Sequence, residues 1–344
     1  MNITPKLTEL ENDISLNPEL FARVKAVYDQ RKKLKLDEQD MQLLEDTYKG
    51  FARSGALLEG QDKELYREYS SELSQLTLKF GQNAQAATNA FSYNITDPAK
   101  VEELPAFVKE GLAAEAEARG EKGWTVTLHA PSYSPFMTYS TQRDIKEALY
   151  RAYNTRGIGG ETDNVENIRR IAELRLKIAN LLGYKCYADY VLEDRMAEST
   201  KTVNGFLAEL NKATLSYAKK DVAAITEYAH SLGFEGELAP WDFGYYNEKY
   251  KEAKYAINDE QIKPYLQLEN VKNAVFMLAG KLYGLTFTPV DNIETYHPEA
   301  TVYEVRDDKG ELMAILYLDF FPRESKRQGA WMTEFRGVKV KDGK

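Results

Sequence analysis

Histidines are the first residues to consider as metal ligands, and this sequence contains three: His129, His230 and His297. None is followed by a second histidine four residues later, and none lies in H-E-x-x-H, the spacing that puts two zinc ligands on one helix face. Ser216 and Lys219 match S-x-x-K, but they lie inside a long charged helical pattern without a supporting motif. We interpret the histidines as structural or surface residues and the S-x-x-K match as chance.

Glycine and acidic clusters give weaker signals of chemistry. A glycine-rich run at residues 157–160 follows a predicted helix rather than a strand, so it does not complete a phosphate-binding pattern and indicates a loop. Adjacent carboxylates occur three times, and nothing in the sequence gives them a partner or a cleft, so they are typical of solvated faces and turns. These pairs are Glu102-Glu103, Glu193-Asp194 and Asp307-Asp308.

Arg323, Lys326 and Arg327 form the one cationic loop beside the predicted strands at the end of the chain. Their side chains are suited to hold a peptide carboxylate, and they are equally suited to keep a loop in solution. Both interpretations stay open. From the residues alone, the sequence contains no catalytic apparatus.

Composition describes an ordinary globular protein. The chain has 344 residues, of which 43% are hydrophobic and 29% charged, and a net charge of -9 with a pI near 5.2 argues against nucleic acid as a partner. No apolar run approaches the roughly 18 residues that a membrane span needs, so we expect no membrane association. A single cysteine, Cys186, and an N-terminus without a signal-peptide pattern favour a cytoplasmic location. That inference depends on Met1 being the natural start.

The elements that would position any site are mainly helices. Apolar residues at helical spacing predict a helical body over residues 1–284, with a short strand at 123–130 and an irregular, aromatic segment at 236–258. After Gly284 the period changes, and strands are predicted at residues 285–290, 301–306 and 311–320, the last two joined by a hairpin at 307–310. The fold class is therefore mainly α, with a small β region over residues 285–344.

The end of the chain gives the least expected pattern. Residues 315–320 are dense in apolar side chains and predict a buried strand, and residues 329–335 predict another strand after the cationic loop. Asp342-Gly343 is a strong hairpin signal, yet the sequence ends at Lys344 before a returning strand. We therefore expect a truncated β-sheet rather than a frayed tail.

Several dispersed motifs together resemble one family. They include Arg53 with Gly55-Ala56, Phe80 with Asn83, the ANLLGYKCYADY run at 179–190, and the KRQGAWM run at 326–332. Trp241-Asp242, Tyr245-Tyr246 and LYGL at 282–285 add to the set. This ordered set, which extends from about Leu7 to Arg336, resembles the thimet-oligopeptidase-like family of zinc metallopeptidases, which includes oligopeptidase A and peptidyl-dipeptidase. Ala330-Trp331-Met332 is more similar to the peptidyl-dipeptidase branch.

The resemblance implies a helical fold around a deep peptide channel, with a small sheet beside a zinc ion. In the family, an H-E-x-x-H helix and a later glutamate hold the zinc, and these lie beyond the stretch that corresponds to Trp331. The resemblance therefore implies no catalytic residue and no zinc ligand in this chain, and it predicts that the chain alone binds no catalytic zinc and is inactive. It implies instead that the chain forms one wall of the channel, for which the candidate residues are Arg323, Lys326, Gly329, Ala330, Trp331, Met332 and Thr333.

The functional hypothesis is therefore a portion of a zinc peptidase that hydrolyses short peptides and releases C-terminal dipeptides. The alternative is a naturally shortened, non-catalytic helical module that binds peptides or a partner chain. A third interpretation is that a separate chain supplies the missing half and pairs with an exposed strand edge at residues 329–340.

Overall fold

A computed structural model describes residues 3–256, 258–327 and 329–337. The chain divides into two compact units, one formed by residues 1–91 and 151–224, the other by residues 92–150 and 225–344. Helices dominate both units, as the sequence predicted. The predicted division at residue 284, between a helical body and a β region, stays a prediction.

The elements follow one another along the chain in a mainly helical order. The helices are α1 (Ile3–Ser15), α2 (Pro18–Asp29), α3 (Glu38–Arg53), α4 (Gly60–Ala90), α5 (Ala106–Ala118), α6 (Ala130–Tyr139), α7 (Arg143–Asn154), α8 (Val165–Leu181), α9 (Tyr187–Leu192), α10 (Thr200–Ser231), α11 (Pro240–Tyr255), α12 (Asp259–Ile262) and α13 (Leu268–Tyr283). The strands are β1 (Ser92–Ile95), β2 (Trp124–Thr127), β3 (Thr286–Val290), β4 (Thr301–Arg306) and β5 (Leu312–Leu318). Short 3₁₀ turns lie at Pro98–Lys100, Gly160–Thr162 and Lys263–Tyr265.

The first unit is built on the long helix α4, which packs against α1 and α8. Its buried core contains Leu16, Tyr66 and Ile178. Asn17 caps α2 by accepting hydrogen bonds from the backbone N–H groups of Glu19 and Leu20. Pro18, at the first helical position, preorganises the same end of the helix. The predicted helical array of the first ninety residues is confirmed.

The described residues of the second unit form two separate antiparallel sheets. Strands β1 and β2 pair with Ile95 opposite Trp124. Helices α5 and α6 pack on this ribbon, and Val126 of β2 and Phe136 of α6 are fully buried. The predicted short strand at 123–130 is confirmed as β2. Its partner β1 was not predicted, because four residues of mixed polarity between a helix and a proline give no clear period-2 signal.

The second sheet has the order β3-β4-β5, and its register pairs Pro289 with Tyr303 and Tyr303 with Leu316. All three strands and the hairpin at 307–310 were predicted. The side chain of Asp307 accepts hydrogen bonds from the backbone N–H groups of Lys309 and Glu311, at 3.0 and 2.8 Å, and so fixes the turn. Helix α13 lies on this sheet through Phe276, whose ring is 4.1 Å from that of Phe287 and 5.1 Å from that of Tyr303.

Three sequence predictions were wrong. Most of the segment 236–258 is not irregular but forms α11, because Pro240 stands in the first helical turn and Asp242 accepts a hydrogen bond from the Ala239 N–H. The apolar run at 315–320 is not buried: Ile315 and Phe320 are exposed. Strand β5 lies at the edge of the described sheet, where it has a neighbouring strand on one side. Residues 329–335 form no strand: the chain leaves the sheet after Leu318 and does not return to pair with the free edge of β5. The hairpin signal at Asp342-Gly343 lies outside the described residues.

Candidate functional site

The candidate channel wall begins with the loop that follows β5, and this loop is organised around Asp319. The carboxylate of Asp319 accepts hydrogen bonds from both terminal nitrogens of Arg323, at 2.9 and 2.8 Å. The Nζ of Lys326 lies 2.7 Å from the same carboxylate, and the hydroxyl of Tyr296 donates to it at 3.2 Å. The side chain of Asp319 is almost fully buried by these three neighbours. The sequence singled out the two cations and missed the acid between them.

The charges in this loop shift one another's proton affinity. The hydrogen bonds from Arg323, followed by those from Lys326 and Tyr296, hold the pKa of Asp319 well below its usual range. The bond to Asp319 in turn raises the pKa of Arg323. Burial, together with the hydrogen bond to Asp319, raises the pKa of Tyr296. At neutral pH, Asp319 is therefore ionised and paired with the charged side chains of Arg323 and Lys326.

Lys326 adds two backbone contacts that close the loop further. Its Nζ donates to the carbonyl oxygens of Asp319 and Phe321, at 3.0 and 2.6 Å. A lysine ammonium has three donors, so the carboxylate and the two carbonyls account for them. Arg323 and Lys326 are therefore both engaged within their own loop, and the two interpretations of the cationic loop stay predictions.

The remaining candidate residues, Gly329, Ala330, Trp331, Met332 and Thr333, form an exposed, irregular segment. Gly329 has φ +109°, a conformation that favours glycine, so this position marks a change of chain direction. The indole of Trp331 is half exposed and lies under the guanidinium of Arg327, 4.6 Å from it. The structure thus places the candidate residues in one continuous stretch after β5, with their apolar side chains exposed.

A cavity of about 260 Å³ lies next to this loop within the second unit. Pro322, Arg323 and Glu324 form one side of it, and α5 contributes the apolar residues Phe107 and Leu112 to the other. Its volume is below the roughly 300 to 1,000 Å³ of cavities that hold a drug-sized ligand. The cavity is lined by residues 322–324 of this loop and not by the segment 329–333.

Motifs that carried the family resemblance are structural in the first unit. Arg53 contacts the last residue of the 179–190 run and the residue three positions after it: its guanidinium donates to the Tyr190 carbonyl at 2.7 Å, lies 4.4 Å from the Tyr190 ring centre and hydrogen bonds to the carboxylate of Glu193. Asn83 donates to the side chain of the buried Asn164 at 3.1 Å. These contacts hold parts of the first unit together, and none of them forms a reactive group.

The sequence of this chain is similar to known proteins over almost its whole length. Residues 136–343 match the description "Peptidase family M3". The chain belongs to peptidase family M3. Oligopeptidase A of Escherichia coli is 32% identical over 338 residues, which cover 97% of this chain and 50% of that protein. Dipeptidyl carboxypeptidase of the same organism is 34% identical over 96% of this chain and 49% of its own length.

A plant relative shows the same extent of similarity to this M3 chain. The probable cytosolic oligopeptidase A of Arabidopsis thaliana is 32% identical over 343 residues, covering 96% of this chain and 49% of the relative. The chain therefore spans about half the length of the curated relatives that it matches. The relatives' names include both a cytosolic and an organellar protein, so the cytoplasmic location stays a prediction. No helix among the described residues is long and apolar enough to cross a membrane.

M3 peptidases are zinc metallopeptidases, and the residues described here do not fit a zinc site. Within residues 3–256, 258–327 and 329–337, no group of three or more His, Cys, Asp or Glu side chains could hold a metal ion. The histidines lie in separate places: His230 contacts the Gly236 carbonyl at 2.8 Å, and His297 accepts from the Glu299 N–H at 3.2 Å. His129 is the N-cap residue of α6.

Proposed function

We propose that this chain is part of a zinc peptidase that hydrolyses short peptides, and that it forms one wall of the channel in which the peptide lies. The observation that supports this most directly is the similarity to oligopeptidase A and dipeptidyl carboxypeptidase over almost the whole chain and about half of each relative. In this proposal the zinc ligands and the general base come from sequence outside these 344 residues. Release of C-terminal dipeptides is the finer part of the proposal, and the similarity to dipeptidyl carboxypeptidase supports it.

The role of this chain in that reaction is to position rather than to react. The Asp319 cluster closes the loop from Asp319 to Lys326, because Arg323 and Lys326 both contact Asp319 at its start. The exposed stretch at 329–333 follows directly, with its backbone groups available to an extended peptide. In this proposal the Asp319 cluster is the anchor that holds the exposed segment in place along the channel.

The experiment compares the 344-residue chain with the product of the whole gene that contains it. Both are assayed against quenched fluorescent peptides of five to twelve residues, with zinc and with a chelator, and the products are identified by mass spectrometry. We expect zinc-dependent cleavage by the gene product, with dipeptides released from the C-terminus, and none by the chain alone. Zinc-dependent cleavage by the pure chain would contradict its proposed inactivity.

The gene sequence after the Lys344 codon separates the two classes of function. A reading frame that continues into an H-E-x-x-H helix supports the peptidase. A stop codon in the source genome, with an inactive product that still binds peptides, would favour the non-catalytic module instead. Cleavage only at internal bonds would retain the peptidase and reject dipeptide release.

A further inference from the structure

Helix α13 presents a regular apolar stripe to solvent. Leu268, Val271, Val275, Leu278 and Leu282 follow one another at intervals of three, four, three and four residues, which places them on one side of the helix. Their exposed fractions are 40, 39, 58, 54 and 63%. Isolated exposed apolar residues are common on any protein, but five at this spacing form a continuous strip.

The stripe is separate from the face by which α13 is held. Phe276 stacks on Phe287 of β3 and meets Tyr303 of β4 edge-on, and Lys272 lies 5.6 Å from the Tyr303 ring. These contacts fix the helix on the sheet. None of the residues of α13 is buried, so the helix has one packed side and an apolar side that solvent reaches.

We propose that this stripe is the docking surface for an amphipathic helix from the half of the M3 polypeptide that this chain does not span. The proposal rests on the proposed function, since it takes the chain as part of a longer peptidase. A helix whose apolar residues alternate at intervals of three and four packs against a second helix at a small crossing angle. The side chains of each helix then lie between those of the other. The five side chains carry no charge, so the complementary face is apolar.

Chain length identifies the source of this helix. Relatives that align with 96–97% of this chain extend over about twice its length, so each contains roughly as many further residues. The stripe lies within the part of the chain that matches the family, at residues 136–343. An apolar helix face inside the matched region is therefore expected to be covered in the whole protein by residues that this chain does not span.

Thiol labelling measures whether the stripe is covered. Starting from Cys186→Ser, which removes the only native cysteine, Val275→Cys and Leu278→Cys place a thiol on the stripe. Met277→Cys is the matched control, because Met277 is equally exposed on the same helix and lies off the stripe. Each variant is made in the chain alone and in a chimera in which the chain replaces the matched residues of E. coli oligopeptidase A.

We expect all three thiols to react rapidly in the chain alone. In the chimera, the thiols at 275 and 278 should react at least about tenfold more slowly, while the thiol at 277 keeps its rate within about threefold. Equal rates at 275 and 278 in the two proteins would overturn the proposal. A chain that dimerises in sedimentation experiments, with its stripe thiols already protected, would also overturn it and assign the stripe to a second copy.

The labelling rates do not depend on peptide cleavage. A chimera with a protected stripe and no hydrolysis of peptides would contradict the proposed function and leave the docking surface in place. A chimera that cleaves peptides while its stripe stays reactive would do the reverse.

Discussion

Arg143 and Asp242, 99 positions apart in the sequence, form a two-pronged ion pair in which only the acid is buried. The Nε and a terminal nitrogen of Arg143 reach the Asp242 carboxylate at 3.0 Å each. Asp242 is 2% exposed, whereas the arginine side chain is 54% exposed. The carboxylate also accepts the hydrogen bond from Ala239 N–H that begins α11. One buried acid thus joins α7 to α11 and caps the second helix.

Asp242→Ala should destabilise the protein by about 2 to 4 kcal/mol, because it removes a helix cap and the carboxylate that Arg143 contacts. Urea unfolding measures this loss as a lower midpoint at an unchanged slope. Asp144→Ala is the control: Asp144 lies on the same helix as Arg143, and its ion pair with Lys100 is long, at 3.6 Å, and exposed. Equal effects of the two variants would contradict the role given to Asp242.

Asp319 should make the stability of the loop depend on pH at the acid end. The pKa of Asp319 is lowered in the folded protein, chiefly by Arg323. The contribution of Asp319 to the free energy of unfolding is therefore complete above the ordinary aspartate pKa, and it is lost as the pH falls from that value toward the lower pKa of the folded protein. Asp319→Asn should therefore be less stable than the wild type at pH 7, and the difference should shrink between about pH 4 and pH 3.

Chemical unfolding of wild type and Asp319→Asn, at pH 7 and at about pH 3, measures the difference in free energy of unfolding. The control is Asp308→Asn, a substitution at an exposed turn position, which should leave the free energy of unfolding unchanged. A difference between wild type and Asp319→Asn that is constant with pH would show that the charge of Asp319 is not what stabilises the loop.

Gly55→Ala should destabilise the first unit by about 2 kcal/mol. Gly55 has φ +86°, and a Cβ at this position would lie 3.2 Å from side-chain atoms of both Leu16 and Tyr66. Gly50→Ala tests the reverse expectation on the preceding helix, where a Cβ meets nothing within 4 Å. That variant should be more stable than the wild type by about 0.5 to 1 kcal/mol, because alanine favours a helix interior. Thermal unfolding of the pair checks both signs.

Arg53→Lys should lower stability by about 1 to 2 kcal/mol although it keeps the charge, because a lysine cannot bond Glu193 and the Tyr190 carbonyl together while stacking on the Tyr190 ring. Lys49→Arg is the matched control. Lys49 makes a single exposed ion pair with Asp194, and the substitution should leave the urea midpoint unchanged. An Arg53→Lys variant with the same urea midpoint as the wild type would show that the planar guanidinium is not required.

Much of the fold was predictable because its signals are local. Asn17 before Pro18, and Gly284 after α13, mark helix ends through their own backbone preferences. The strands β3, β4 and β5 follow from a change of period. Helix α11 was missed because its aromatic residues surround the helix without an apolar stripe, while the signal that defines it, Pro240 with Asp242, is short.

The candidate site was predictable only in part. Arg323 and Lys326 were recognised by their charge, but their role depends on Asp319, which lies four residues before Arg323 within a run interpreted as a buried strand. The exposure of β5 was not predictable, because an apolar strand reads the same at the edge of a sheet and at its centre. The position of a strand within its sheet is a tertiary property.

Strand β5 has a consequence for how the protein is handled. Its sequence, LMAILYL, is seven uncharged residues without proline, and one long edge of it has no neighbouring strand in the described sheet. Such a segment is a template for other copies of itself. Concentrated solutions of the 344-residue chain should therefore form β-rich aggregates, and a lysine at the exposed Met313 should delay their appearance.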